Sequence, residues 1–598
     1  MHFYILNEVT LVPLIWRVMR KQEIYLLYAL PLCPLFDGIF GQAANYLIRK
    51  NYVQLVHEIA PSARRHYEFP RSWIETNLFP ESEPWQIRHY GFDRLDRKHY
   101  AYALPFKKVV ATSLIAVLNV QLIIDAVYRD LGRNTRIHGL GCDLKSLYRH
   151  LFEGQMPSRP CGLAPLRILP NFILTITMML FNTAWIVARI TPFMKVKTYK
   201  FAMDFIEAAT TLRLMREILG DPKDGIFFFR NKQQACEHLP HLTNFRAAAF
   251  QDAQFGPVEG LLQISLSTAR LMQIFFNHAH QHTRLYFAVS KFPFIQVMFR
   301  GIFNKYQFPV FLARDDYNVE SIFRTWELRQ RNRKSLGIAH GSPWSIEPPV
   351  RYLDFDTYYV FGAGVFKEFY LDRFPEHMKI REIGCYGLSR KELAAFLPVS
   401  PGCECDWRKE DKVRRDIACF TKPHLDGTFL LDGAIELAHM YPDRKVWVKI
   451  KVRAKDRGGF EKFSQLLEKA PSNLIYTETP ACTLFKNIAF AISGGSTVVE
   501  EMLSLGIPTY VIDTYPDDFP FYWRHYEEFC LKSCALAITN IKDHIEGVSE
   551  FPWDKIDGVA DLSGHMTYDK IREDSELPPL QVCQLPDEFE LALHEAEV

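Results

Sequence analysis

Ser493-Gly494-Gly495-Ser496-Thr497 runs into Val498-Val499-Glu500-Glu501, and Gly506-Ile507-Pro508 follows five residues after Glu501. Two glycines and three hydroxyls ahead of a helically spaced apolar stretch predict a strand–turn–helix joint. Its backbone N–H groups and helix N-terminus suit an anion such as a phosphate. Thr497 and Glu500 have the spacing of a capping box, which assigns Glu500 to the helix start. Glu501 has no such duty. One turn into the helix, it can accept hydrogen bonds from a ribose, and the plain alternative is a solvated helix face. Gly506 and Pro508 supply the stop signal.

His340 is the leading candidate for proton chemistry. It stands at the end of a predicted strand, Leu336–Ala339, with Gly341 leaving it uncrowded. A histidine titrates near neutrality and so can take a proton from a hydroxyl nucleophile. The competing reading is a loop histidine, one of 20 in the chain. Asp315 and Asp316 follow another predicted strand, Pro309–Ala313, and can orient His340 or act as base. One of them can equally cap the helix that begins near Val319. Lys422, Arg453 and Lys455 follow strand ends and can neutralise a departing diphosphate, or simply form a solvated basic loop. Asp517-Asp518 is a pair of carboxylates without further ligands, which does not make a metal site. No metal and no cofactor beyond a nucleotide substrate is expected.

Strands must carry these residues to one edge. Asp416–Phe420, Lys445–Lys451, Leu474–Thr477, Asn487–Ile492 and Thr509–Ile512 are short apolar runs alternating with helical segments. That alternation implies an α/β fold with a parallel, doubly wound sheet, and ligands in such sheets sit at the carboxyl ends of strands. Pro309–Ala313, Leu336–Ala339, Thr357–Phe361 and Ile380–Ile383 form a second set. Two Rossmann-like lobes are therefore expected: residues 1–395, with a helical insertion over about 160–260, and residues 396–560. Pro398, Pro401 and a charged run mark a linker over 391–412, and 561–598 reads as an acidic tail.

The 598 residues exceed what one core supports, and the net charge of +2 gives no reason to expect nucleic acid. The 12 cysteines show no zinc or disulfide spacing, which fits a reducing cytosol. Phe172–Ala188 is 17 residues without a charge, followed by Arg189, Lys195, Lys197 and Lys200. That length is at the bottom of the spanning range, so a helix lying in or dipping into a membrane surface through about residues 168–200 is the favoured reading. A buried core helix is the alternative.

Taken together, these motifs resemble GT-B glycosyltransferases. In that fold a nucleotide-sugar lies between two lobes, a glycine/hydroxyl turn contacts phosphate and a helix glutamate holds the ribose. Counting back five from Gly506 places that glutamate at Glu501. Ile338-Ala339-His340-Gly341-Ser342-Pro343 is similar to the HG-[ST]-P motif of bacterial teichoic-acid polymerases and capsule transferases. The resemblance implies that His340 is the base, and that the enzyme sits peripherally on the cytoplasmic face of the inner membrane. Its acceptor would be lipid-linked or polymeric glycan. The chain has Lys451-Val452-Arg453 where those polymerases carry His-Pro, and Ser493–Ser496 where they carry D-Y-S-S. A nucleotide-sugar is accordingly the expected donor, ahead of a CDP-glycerol donor for glycerophosphate transfer. The S-G-G…E-E-x-x-S-L-G-x-P pattern also resembles UDP-sugar 2-epimerases, which need no acceptor. A catalytically silent scaffold is the remaining alternative.

Overall fold

The protein, seen here as a computed structural model, is described over residues 2–7, 10–29, 37–62, 74, 78–155, 164–206, 208–229, 233, 247–314, 316–341, 348–370, 373–396, 414–421, 428–450, 467–513 and 522–577. Three sheets of four, seven and six strands organise these residues, and their strand pairs are parallel.

The first sheet comprises β1 (His2–Leu6), β2 (Ile24–Ala29), β3 (Gln54–Leu55) and β4 (Ile137–His138), in the order β3-β2-β1-β4. Helices α1 (Leu11–Met19) and α2 (Asp37–Arg49) connect its first three strands. Then come α3 (Phe79–Tyr90), the long α4 (Ala103–Leu131) and α5 (Cys142–Glu153). α4 is apolar nearly all round because it is a core element: Val110, Leu114, Leu118 and Ile123 are buried. These residues were expected to form part of one lobe reaching to 395. Instead they close a sheet of their own.

The second sheet begins with residues expected to be a helical insertion. After α6 (Ala164–Val187) come β5 (Lys197–Thr198), β6 (Phe201–Asp204), β7 (Gly225–Phe229) and β8 (Ala247–Ala249). α7 (Pro257–His278) and α8 (Thr283–Ser290) lead to β9 (Tyr306–Gln307), which pairs only with β5. β10 (Val310–Ala313), β11 (Lys334–Ile338), β12 (Thr357–Val360) and β13 (Lys379–Glu382) complete the order β13-β12-β11-β10-β6-β7-β8. Residues 160–260 thus supply three of the seven strands, and the insertion reading is corrected: Gly225–Phe229 and Ala247–Ala249 are buried sheet.

α7 ends on a buried histidine that contributes to the acid response. His278 is 1% exposed, its ring 4.2 Å from that of Phe106 and 5.3 Å from that of Tyr100, and neither ring nitrogen has a hydrogen-bond partner. Burial, helped by His280 and Arg94, pulls its pKa from 6.5 down to about 3. The folded state therefore holds this ring neutral while the unfolded chain takes up a proton below 6.5. Its contribution to stability is complete above pH 6.5 and falls by about 1.4 kcal/mol per unit as pH drops toward 3. Chemical denaturation at pH 7 and pH 5 should show His278→Phe losing less stability on acidification than the wild type. An identical pH slope in both would contradict the assignment.

The third sheet holds β14 (Asp416–Thr421), β15 (Val446–Ile450), β16 (Leu474–Thr477), β17 (Ile488–Ser493), β18 (Thr509–Ile512) and β19 (Cys530–Leu531), ordered β16-β15-β14-β17-β18-β19. α9 (Thr428–Met440) covers one face, α10 (Thr497–Ser504) joins β17 to β18, and α11 (Thr567–Asp574) ends the described chain. The five strands read from sequence in this lobe are all present within a residue or two. The chain is therefore α/β with two doubly wound, Rossmann-like lobes, preceded by a smaller parallel module. Most of the linker expected over 391–412 lies outside the described residues.

The two large sheets share one core. Val498, Met502 and Leu505 of α10 belong to the same buried cluster as Ile338, Phe361 and Tyr386 of the seven-stranded lobe. Along this seam backbones touch: a Cβ at Gly362 would lie 2.1 Å from the Val559 carbonyl oxygen, and one at Gly384 2.2 Å from Gly564 Cα. α11 corrects the expected acidic tail over its first part. The Tyr568 hydroxyl donates to the carbonyls of Tyr386 (3.0 Å) and Leu388 (2.7 Å), and Arg381 meets Asp574 at 2.8 Å. Residues 561–577 are thus a strap onto the first lobe, with Ile571 fully buried.

Candidate functional site

The strand order of the third sheet reverses between β14 and β17, and the glycine turn begins where β17 ends. Gly494 N–H donates to the Phe420 carbonyl across that switch point at 3.3 Å. The carboxyl edge of a parallel sheet opens a crevice there, because neighbouring connections leave on opposite faces. Ser493 is buried and its hydroxyl donates to the Gly494 carbonyl (2.7 Å), while Ser496 and Thr497 are half-buried. Ser496 is the N-cap of α10, with extended backbone (φ −156°, ψ 152°) and no side-chain capping bond. The expected Thr497–Glu500 capping box is therefore absent. The extended Ser496 starts the helix one residue earlier, which puts Val499 where the acid would have to stand.

Glu500 is nonetheless structural. It is 5% exposed and lies near Tyr522 and Tyr526, whose hydroxyls are 2.7 Å apart. Burial and that pairing push the Tyr522 phenol far up, with Glu368 and Glu500 adding to the effect. Glu501 points elsewhere. Thr497, Glu501 and Ser504 lie on one helix face, and each meets the seven-stranded lobe. A Cβ on Gly341 would be 3.5 Å from Thr497 Oγ1, and one on Gly384 would be 2.8 Å from Ser504 Oγ. Burial and the charge of Glu501 together push the Cys385 thiol up. α10 ends as its sequence predicts, with Gly506 left-handed at φ 69° and Ile507 N–H returning to the Met502 carbonyl.

Opposite the turn, β11 delivers His340, whose side chain is exposed. Tyr317 packs edge-on against its imidazole, ring centres 5.0 Å apart. Of the two roles expected of Asp316, orienting His340 or acting as base, its placement speaks against the second. Its carboxylate is 2% exposed and accepts from His340 N–H (2.7 Å) and from the Tyr358 hydroxyl (2.8 Å), fixing the loop's main chain. Burial drives its pKa up, and those hydrogen bonds oppose the shift. A closed-in carboxylate positions His340 and is not placed to take a substrate proton. Below it, Lys108 of α4 is buried and donates to the carbonyls of Asp316 (2.5 Å), Pro349 (2.8 Å) and Tyr352 (3.1 Å).

Arg314 is a cation that the sequence reading passed over. It directly follows β10, donates to the His340 carbonyl at 3.0 Å and lies over the Tyr386 ring at 5.8 Å, and its Nε is buried without a partner. Its signal was available, as a charge immediately after an apolar strand. Of the other expected residues, Lys422 directly follows the end of β14 but lies outside the described residues. So do Arg453, Lys455, Asp315, Asp517, Asp518, and Ser342-Pro343 of the HG-[ST]-P motif. Gly494, Gly495, Ser496, Thr497, Glu501 and His340 are thus brought to one junction between two carboxyl edges.

No family model and no curated protein matches the chain. Among solved structures it is similar to UDP-GlcNAc 2-epimerase from Neisseria meningitidis bound to UDP-GlcNAc, at 12% identity and a TM-score of 0.39 over 63% of this chain and 99% of that one. UDP-GlcNAc 2-epimerase from Methanocaldococcus jannaschii, in complex with UDP-GlcNAc and UDP, gives 12% identity and a TM-score of 0.34 over 64% and 100%. A glycosyltransferase from Rickettsia africae ESF-5 gives 10% and 0.32 over 67% and 97%. Likeness at this level assigns no activity to the chain.

Proposed function

We propose that this chain is a glycosyltransferase that moves a sugar from a nucleotide-sugar to a hydroxyl of a lipid-linked or polymeric glycan in bacterial surface-glycan synthesis. The observation that supports it is the approach of Gly341 to Thr497 Oγ1, which sets the His340 strand end against the glycine turn. In this reading the acceptor hydroxyl gives its proton to the His340 imidazole as its oxygen bonds to the sugar's anomeric carbon. The bond to the nucleoside diphosphate breaks, and the leaving charge meets the Gly495–Thr497 N–H groups, the α10 N-terminus and Arg314. Lys422 and Arg453 are proposed as further cations, and Glu501 as the ribose ligand.

A thermal-shift panel of UDP, GDP, CDP, CMP and TDP tests the donor side. One nucleotide should stabilise the wild type, by about 2.7 kcal/mol at a hundredfold excess over Kd, and Glu501→Ala should lose that shift. The donor assignment fails if none of the five shifts the wild type. The spacing from Glu501 to Gly506 also favours a second reading, a UDP-sugar 2-epimerase. Conversion of a UDP-sugar without any acceptor marks that case.

The membrane contact proposed for residues 168–200 is supported by the inverted polarity of α6. Its buried side carries Asn171, Thr175 and Asn182, whereas Leu169 (63%), Ile173 (56%) and Leu180 (68%) are exposed. Phe193, Val258 and Leu261 are likewise exposed, and so are Lys195 and Lys197, which follow α6 in the chain. Such a face suits an anionic bilayer at the cytoplasmic side of the inner membrane. The protein should float with phosphatidylglycerol vesicles, and Ile173→Asp with Leu180→Asp should leave it in the soluble fraction. Equal flotation of that double variant would refute the contact.

A further inference from the structure

A cavity of about 200 Å³ opens at the carboxyl edge of the four-stranded N-terminal sheet. Strand order reverses between β1 and β4, and the cavity lies at that reversal. Asn7, the residue after β1, and Gly139 and Gly141, just after β4, line it. This is the position at which parallel sheets present ligand crevices. Gly139 is left-handed (φ 88°), and a Cβ there would lie 2.7 Å from the Ile5 carbonyl oxygen, so the two strand ends meet without a side chain between them. The nucleotide-like turn of the third sheet belongs to a different sheet and contributes nothing to this cavity.

The lining defines a ligand class. Ile5, Leu114, Val117 and Leu285 give apolar walls, while Asn7, Ser113, Asp143 and Gln281 bring amide, hydroxyl and carboxylate groups to the same space. His89 stacks on Trp85 at 4.1 Å and stands 3.9 Å from Asp143. Mixed donors and acceptors over apolar walls match a ring with hydroxyl edges and C–H faces. Among the lining side chains the formal charges of Asp143 and Arg284 cancel, so there is no excess cation for a diphosphate. The volume is also below the roughly 300–1,000 Å³ of pockets that take drug-sized ligands. One wall is suspended from α6, since the Asn171 amide donates to the carbonyls of Ala279 and Gln281 at 2.9 Å.

We infer that this cavity binds a single neutral saccharide ring, at a site separate from the proposed nucleotide turn. The site does not depend on the transferase reading. Saturation-transfer NMR on the full chain, with the methyl glycosides of glucose, galactose and N-acetylglucosamine as probes, tests it. At least one glycoside should bind saturably to the wild type and remain bound when UDP is added. Asp143→Asn, which keeps the shape, should weaken that binding at least tenfold, and Ala116→Phe, which fills the cavity, should abolish it. Silence from all three glycosides, displacement by UDP, or unchanged affinity in Asp143→Asn would each overturn the inference. Displacement by UDP would instead put the sugar in the donor pocket, and a donor site that binds no nucleotide would leave the glycoside result standing.

Discussion

His340→Ala should lower turnover by about 10²–10⁴-fold while leaving nucleotide affinity unchanged, because general-base assistance contributes on that scale and acts only in the transition state. The side chain is exposed at the β11 end, and its main chain is pinned independently by Asp316 and Arg314. Truncation therefore removes the imidazole without releasing the loop. His340→Gln, which keeps a hydrogen-bonding side chain but cannot take the proton, should be nearly as impaired. The measurement is initial rate with saturating donor alongside the thermal-shift affinity of the stabilising nucleotide. Near-normal turnover in either variant would remove His340 from the chemistry, and a matching loss of nucleotide affinity would make it a binding residue instead.

Lys108→Met should destabilise the protein by about 3–5 kcal/mol, the scale seen when one partner of a buried charge arrangement is removed. The ammonium satisfies three carbonyls at once and lies close enough to Asp316 to pull its carboxyl toward the ionised form. Methionine keeps the stem's length and leaves all of these groups without their cation. Because one of the three carbonyls is that of Asp316, the loop holding His340 should loosen as well, and turnover should fall with stability. Asp316→Asn in the same chain should recover part of the loss, since a neutral amide needs no counter-ion there. Denaturant titration of the single and double variants gives the coupling directly. A change under 1 kcal/mol for Lys108→Met would mean that water replaces the ammonium.

Parallel strands buried on both faces announce themselves as short apolar runs, which is why β10, β12, β14, β17 and β18 were legible to within a residue or two. The strands β6 and β8 were not, and β7 (GIFFF) was missed although it carries that same signal. Ala247–Ala249 has no strand preference of its own, and Phe201–Asp204 follows a long apolar helix that dominates the local pattern. The glycine turn and His340 were legible because strand ends beside glycine are local features. What holds them was not: Lys108 and the Asp316 carbonyl are 208 positions apart, and carbonyl recognition leaves no spacing to read. The capping box failed for a related reason. Its spacing is present, yet the backbone at Ser496 decides where the helix begins.

α11 closes onto surfaces made long before it. Its partners Arg381, Tyr386, Leu388 and Arg390 leave the ribosome nearly 190 residues ahead of Asp574, a delay of about 10–40 s at roughly 5–20 residues per second. Until then Arg381 is without Glu573 and Asp574, Arg390 keeps only Glu217, and the Tyr386 and Leu388 carbonyls await the Tyr568 hydroxyl. Nascent chains thus leave this surface of the seven-stranded lobe uncovered from the completion of its sheet until α11 emerges.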